Sequence, residues 1–388
     1  MKLVVVPSES IDEYELKGLD RLGDYYNPNG YFDEVLIISP LEKKKRQVDG
    51  LTIIPVKNGK EFSQVLSEIK PNAVRAYGGY WASSFVAKYS PENIPIVCSV
   101  HDTNMDLLYS GVKYFDHIIC MTNAVKNKVI HYGVKNIEIS LLPNRVSIEE
   151  FSNPSKMTHI DVDGINLDEF INRNNYILHI GRRNQQKNLE TVIRALSNLP
   201  EEVKLITIGQ GCDKVYRKLA RELKVSDRVL FVDKVRNACL PSIYQKAIAF
   251  VLPTRWEGFG VVFIEAAAAS VPIVSSNIPP VNEFLVNGHN AVLLDSFEDY
   301  NSIAHAVNQI MRDKEFSNVL KVNAFNTARE FSRENINNME IDIYKKIILE
   351  GVRRKKIPVL AKFYMPMELR LKKVKMKLKF HWKRLVIR

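Results

Sequence analysis

Short apolar runs, mostly β-branched, recur through the first 145 positions, each followed by a longer mixed stretch. They are LVVV near Leu3, EVLIIS ending at Ser39, LTIIPV, AVRAYG, IPIVCSV and HIICMT. Near-continuous apolar runs of this kind suit strands of a parallel sheet covered on both faces. An α/β domain is predicted over residues 1–150. The rhythm breaks at FSNPSKMTHIDVDGINLDEFINRNN, which is polar, so residues 151–175 read as a linker. It restarts with YILHI, which leads into Gly181, and Leu189, Val192, Ile193 and Leu196 follow at helical spacing. VKLITIG, RVLFVD, AIAFVLP and PIVSS supply further strands, predicting a second α/β domain over residues 176–330. A terminal helix over 331–350 is expected to pack back on the N-terminal domain, and residues 351–388 form an extension.

Length agrees with this division, because 388 residues exceed what one hydrophobic core usually organises. The apolar share of 46% is that of a globular chain. Cys98, Cys120, Cys212 and Cys239 are far apart and form no CxxC pair, which argues against a zinc site or a disulfide framework and fits a reducing cytoplasm. The opening MKLVVVPSESIDEYE soon turns acidic and no run of about eighteen apolar residues occurs, so neither a signal peptide nor a spanning helix is expected. The net charge of +11 is unevenly spread: residues 351–388 hold 14 Lys or Arg against the single acid Glu368, leaving −2 for residues 1–350.

In open α/β sheets ligands bind beyond the carboxyl ends of strands, which directs attention to PTRWEGFGVVFIEAAAASVP. AIAFVLP reads as a buried strand, TRWEGFG as a loop and VVFIEAAAAS as a helix whose alanines permit close packing. Glu257 then sits on the loop and Glu265 a turn or two into the helix. Gly258 and Gly260 allow close approach of a ligand, and the amides of Gly260, Val261 and Val262 would meet an anion at the helix N-terminus. A phosphate beside these carboxylates would repel them, so the glutamates suit neutral sugar hydroxyls. Two glutamates on an ordinary turn would be solvated surface acids; the glycines and small-residue helix around them favour a sugar nucleotide. In ILHIGRRNQQKNLETVIRAL, a strand ends at Gly181 and a helix begins near Asn188, leaving Arg182, Arg183 and Lys187 on the loop. Cations there can neutralise a diphosphate, although a basic loop is also at home in water.

These segments closely resemble glycosyltransferase family 4, in which EGFG is followed by a second Glu eight positions after the first; here the residues are Glu257, Gly258, Phe259, Gly260 and Glu265. The resemblance implies two Rossmann-like doubly wound domains facing each other across a cleft, the GT-B arrangement, and a retaining hexosyl transfer from a nucleoside diphosphate sugar to an acceptor hydroxyl. It assigns Glu257 to the donor hexose, Glu265 to the ribose, and the diphosphate to Arg182 and Lys187 without a metal. It also implies that His101, at the end of IPIVCSV, approaches the sugar from the acceptor domain. LLPNRVS resembles the family's PNGVD turn. Departures are the absence of a glycine-rich loop after the first strand, Val261-Val262 where Leu-Pro is frequent, and Ser270 where Gly is usual. A sugar-nucleotide epimerase or phosphorylase of the same shape, and a non-catalytic membrane-associated scaffold, are the rival readings.

The basic extension interleaves lysines with apolar residues. As a helix it places Leu371, Val374, Leu378, Trp382 and Leu385 on one stripe, with Met376 and Phe380 off it. Such a segment suits an anionic lipid surface. Nucleic acid is the rival, but phosphate contact alone would not need an apolar stripe. The expected partners are thus a nucleotide sugar, a saccharide or lipid-linked acceptor, and the inner face of the cell membrane, in cell-surface glycan or lipid-linked saccharide synthesis.

Overall fold

The computed structural model describes every residue except Gly18, Asp20, Asn136, residues 154–160, Asp163 and residues 387–388; for 161, 162 and 373–386 it describes the backbone alone. Two compact units divide the chain. Unit 1 comprises Met1–Pro143 and Asn337–Arg388, and unit 2 is the continuous stretch Asn144–Ile336.

Unit 1 is built on strands β1 (Lys2–Val6), β2 (Glu34–Ser39), β3 (Arg46–Val48), β4 (Leu51–Pro55), β5 (Ala73–Tyr77), β6 (Ile96–Val100), β7 (His117–Cys120) and β8 (Glu138–Leu141). Their order in the sheet is β3-β4-β2-β1-β5-β6-β7-β8, parallel throughout except for the β3–β4 pair. Alternate residues of one strand feed opposite cores. Val4 and Val6 face a cluster with Phe62, Leu66 and Val86, whereas Leu3 and Val5 face Tyr26, Phe32 and Tyr344. This two-sided burial is why LVVV and its counterparts are apolar at nearly every position, Arg75 of β5 being a buried exception. The short antiparallel edge β3 has too little apolar pattern to be found in the sequence.

Tyr344 belongs to the helix Arg333–Glu350, which covers one face of this sheet. The same helix delivers Glu340 to Arg75 of β5, forming an ion pair in which both side chains are buried. Arg75 also donates to Ser99 Oγ at 2.7 Å and to the Tyr344 hydroxyl at 2.8 Å.

In unit 2, β9 (Asp161–Val162) and β10 (Ile165–Asn166) form a small hairpin, and the sheet proper contains β11 (Asn175–Ile180), β12 (Val203–Ile208), β13 (Val229–Val232), β14 (Ala249–Leu252), β15 (Ile273–Ser276) and β16 (Val292–Leu294). Its order is β13-β12-β11-β14-β15-β16, parallel throughout. The direction of winding reverses between β11 and β14, which makes the gap beyond their carboxyl ends the topological switch point. The range 151–175 thus contains, in its described part, the hairpin and the helix Leu167–Arg173. Residues of LLPNRVS mark the change of unit: Val146 donates to Phe331 O at 2.9 Å and accepts from Arg333 N at 3.0 Å.

Candidate functional site

The switch point of unit 2 is where the loop Gly181–Asn188 meets the loop Pro253–Gly260. Many hydrogen bonds fasten the two together. Arg255 N and Thr254 Oγ1 donate to Gln186 O at 2.9 and 3.0 Å, Gln186 Nε2 donates to Trp256 O at 2.8 Å, and Asn188 Nδ2 donates to Pro253 O at 2.9 Å. Arg255 adds an ion pair to Glu190 at 2.8 Å. Asn188 is wholly buried and precedes the helix Leu189–Leu196 in a left-handed conformation, φ 56°, its side-chain nitrogen donating to Pro253 O and, at 2.6 Å, to Phe297 O. A buried side-chain amide with both hydrogen atoms on carbonyls holds two loops in one relative geometry.

At the centre Lys187 donates to Glu257, with side-chain exposures of 14% and 6%. The Lys187 carbonyl is itself fixed from below. His179 of β11 is buried, with Nε2 at 3.1 Å from Lys187 O and Nδ1 at 3.2 Å from Thr207 Oγ1. Because a carbonyl can only accept, Nε2 carries the proton and Nδ1 accepts from the threonine hydroxyl. Burial lowers the His179 pKa to about 4, so the ring is neutral at ordinary pH.

Gly209 lies at φ 151°, and a Cβ there would stand 2.0 Å from Gly181 O, so the loop after β12 closes on the loop after β11 only without a side chain. Gly260 adopts φ 90° as it enters the helix Val261–Ala268. Val261 and Val262 lie in the first turn of this helix, where backbone amides have no intrahelical acceptor. Glu265 follows on the same helix and accepts from the Tyr244 hydroxyl at 3.0 Å. Burial raises the Glu265 carboxyl to about 7, a shift that the tyrosine hydrogen bond only partly offsets.

Several sequence-predicted residues therefore share this place: Gly181, Lys187, Glu257, Gly258, Gly260, Val261, Val262 and Glu265 all lie on the two loops or the helix they feed. Arg182 is on the same loop and exposed. Arg183 is turned inward, donating to Asp233 and, at 2.9 Å, to Val232 O, with its guanidinium 5.5 Å from the Phe231 ring centre. Phe259 is 4% exposed, stacked on Phe284 at 5.3 Å and edge-on to Phe331 at 5.7 Å, so its ring anchors the loop from inside.

His101 belongs to unit 1, edge-on to Tyr77 at 5.7 Å, and burial followed by the Arg75 charge lowers its pKa to about 4. His179, Asn188 and Tyr244 are supports that sequence reasoning missed. Asn188 stands where a capping side chain is expected, yet its amide binds the distant Pro253 and Phe297 carbonyls instead; nothing local marks the other two.

Among the described residues no group of three or more His, Cys, Asp or Glu could hold a metal, and no helix is long and apolar enough to cross a membrane.

Residues 168–327, which contain both loops, match the family glycosyl transferases group 1. A glycosyltransferase of Methanocaldococcus jannaschii is 30% identical over 291 residues, covering 68% of this chain and 73% of that protein. The O-antigen chain mannosyltransferase RfbU of Salmonella typhimurium is 27% identical over 207 residues, and the chain spans about half of its length, 54%. Among solved structures, Anabaena HepE in complex with UDP superposes with a TM-score of 0.72 at 17% identity, covering 89% of this chain and 100% of that one. WaaG, a glycosyltransferase involved in lipopolysaccharide biosynthesis, gives 0.64 at 14% identity, covering 89% and 99%. The structural likenesses establish the GT-B fold. With a relative matched over two thirds of both chains and the family segment lying across the two fastened loops, the chain belongs to the glycosyl transferases of group 1 and is a glycosyltransferase.

Proposed function

We propose that this enzyme transfers a hexosyl group from a nucleoside diphosphate sugar to an acceptor hydroxyl with retention of configuration. The observation that carries the reading is the meeting of Lys187, Glu257 and the N-terminus of Val261–Ala268 at the switch point of unit 2. A diphosphate needs cations and amide donors, which Arg182, Lys187 and the helix N-terminus supply. Hexose and ribose hydroxyls need acceptors, which Glu257 and Glu265 supply. HepE, solved with UDP and with UDP-glucose, and the mannosyltransferase RfbU lend support from neighbouring proteins.

In this reading the cationic groups stabilise the charge that grows on the diphosphate as the sugar departs, and the acceptor attacks from the face the diphosphate leaves. The reading gives no step to a metal. Glu257 orients the sugar, and His101 of unit 1 is assigned contact with it. The acceptor is a saccharide or lipid-linked saccharide of cell-surface glycan synthesis, met at the inner face of the membrane through residues 351–388.

A screen of nucleotide sugars by thermal stabilisation, followed by a transfer assay with the labelled donor that stabilises most, tests the proposal. Labelled sugar should pass to an acceptor saccharide. Conversion of the free donor to its epimer without acceptor would sink the transferase reading.

A further inference from the structure

The end of the chain is fastened to unit 1 before it presents its apolar residues. Asp116 accepts from the Arg353 and Arg354 backbone amides, both at 2.6 Å, and from the Arg354 guanidinium at 2.6 Å. Ile357 packs on the core of unit 1. The helix Val359–Val386 then lies against the helix Trp81–Tyr89. Met365 is 1% exposed, and Glu368, the one acid of the extension, is 4% exposed. Glu368 accepts from the Ser110 amide at 2.9 Å and the Ser110 hydroxyl at 2.6 Å. Lys372 stands 4.5 Å from the Tyr109 ring centre. Residues 365, 368 and 372 share one face of the helix.

The other face is Leu360, Phe363, Met367 and Leu371, at helical spacing and exposed by 84%, 75%, 53% and 58%. Four large apolar side chains in a row on a fastened helix mark an interaction surface. Beside its start is a concavity of about 200 Å³ whose lining includes Lys88, Lys355, Lys356, Lys362 and Glu92. Glu92 meets Lys356 at 3.4 Å, an exposed pair that contributes little. Four lysines against one acid leave this concavity cationic.

We infer that the concavity holds the phosphate of an anionic phospholipid, while Leu360 and Phe363 enter the acyl boundary beside it. Nucleic acid would leave the apolar face in water. A second copy of the chain would set lysines against lysines. An anionic bilayer satisfies both the charge and the apolar row. The inference rests on the membrane part of the proposed function and moves the contact from the stripe Leu371 to Leu385 to residues 355–371. The side chains of Val374, Leu378, Trp382 and Leu385 lie outside the described residues; in sequence their spacing continues the same face.

The test is flotation of the full chain with vesicles of phosphatidylcholine containing phosphatidylglycerol, against phosphatidylcholine alone. Replacing Lys355, Lys356 and Lys362 by Ala, or Leu360 and Phe363 by Ser, should each weaken flotation more than about tenfold, with donor-induced thermal stabilisation unchanged. A chain ending at Lys372 should still float. If both variant sets float like the unaltered chain while the chain ending at Lys372 does not, this site is wrong and the distal stripe carries attachment. Equal binding to phosphatidylcholine alone, or a dimer in sedimentation that the Ser variants dissolve, also overturns it. Absence of flotation by the full chain overturns the membrane reading as well, while leaving the transfer assay to judge the enzyme.

Discussion

Lys187 and Glu257 are 70 positions apart in the chain and form an ion pair where the loops after β11 and β14 meet. Each is the residue that the proposed reaction asks to face the donor, one toward diphosphate and one toward sugar. In the structure the two are also partners of each other, so the pair ties the two loops together.

That double duty separates stability from function. Lys187→Met removes the cation beside a buried carboxylate and should cost about 3–5 kcal/mol of stability in unit 2. Adding Glu257→Gln should recover most of the loss in thermal unfolding. Glycosyl transfer should stay low in the double variant, because neither group is then present for the donor. Full activity in the double variant would show that the pair is structural only.

Glu265 titrates at about 7. If the ribose hydroxyls donate to its ionised form, donor binding below about pH 7 must expel a proton, and affinity should fall up to tenfold per pH unit there. A nucleoside diphosphate sugar is a diphosphate diester with no proton of its own titrating in that range. Calorimetric binding of the donor between pH 5.5 and 8.5 should show this slope, and Glu265→Gln should flatten it.

His179 is held neutral, with a folded pKa of about 4 against an ordinary value of 6.5. A base whose pKa is depressed on folding contributes full stability above its unfolded pKa and loses it as pH falls, because the unfolded chain takes up the proton first. Stability should therefore drop by about 3 kcal/mol between pH 6.5 and 4 on this account alone. Denaturant unfolding of the unaltered chain and of His179→Gln, compared across that range, should show a smaller drop in the variant.

In unit 1 the corresponding support is Arg75 with Glu340. Glu340→Ala leaves a buried guanidinium with the neutral partners Ser99 and Tyr344 but without its carboxylate, and should destabilise unit 1 by about 3–5 kcal/mol. Donor-induced stabilisation of unit 2 should persist, as seen in a thermal scan with and without nucleotide sugar.

The sequence made the strands legible because each is buried on both faces, and it made Glu257, Gly260 and Glu265 legible because one short segment carries them all. Lys187 was legible for a similar reason, lying between a strand and a helical run. What stayed hidden depends on distant partners. Arg183 and Lys187 are both cations on one loop, yet one is turned onto Asp233 and the other onto Glu257, and no local pattern distinguishes them. Glu368 is the single acid of a basic extension, and its partner Ser110 lies 258 positions earlier. Sheet order was hidden too, so the switch point between β11 and β14 emerged only from the structure.

The division of the chain has a consequence for the order of synthesis. Unit 2 is one continuous stretch, complete when Ile336 leaves the ribosome, whereas unit 1 begins at Met1 and must wait for Asn337 onward. Arg75 is made 265 residues before Glu340 and stays without that partner throughout. During translation unit 2 can thus mature while unit 1, begun first, is still unfinished, its sheet face lacking Tyr344. Nascent chains arrested beyond Ile336 should resist protease over residues 144–336 before they do so over residues 1–143.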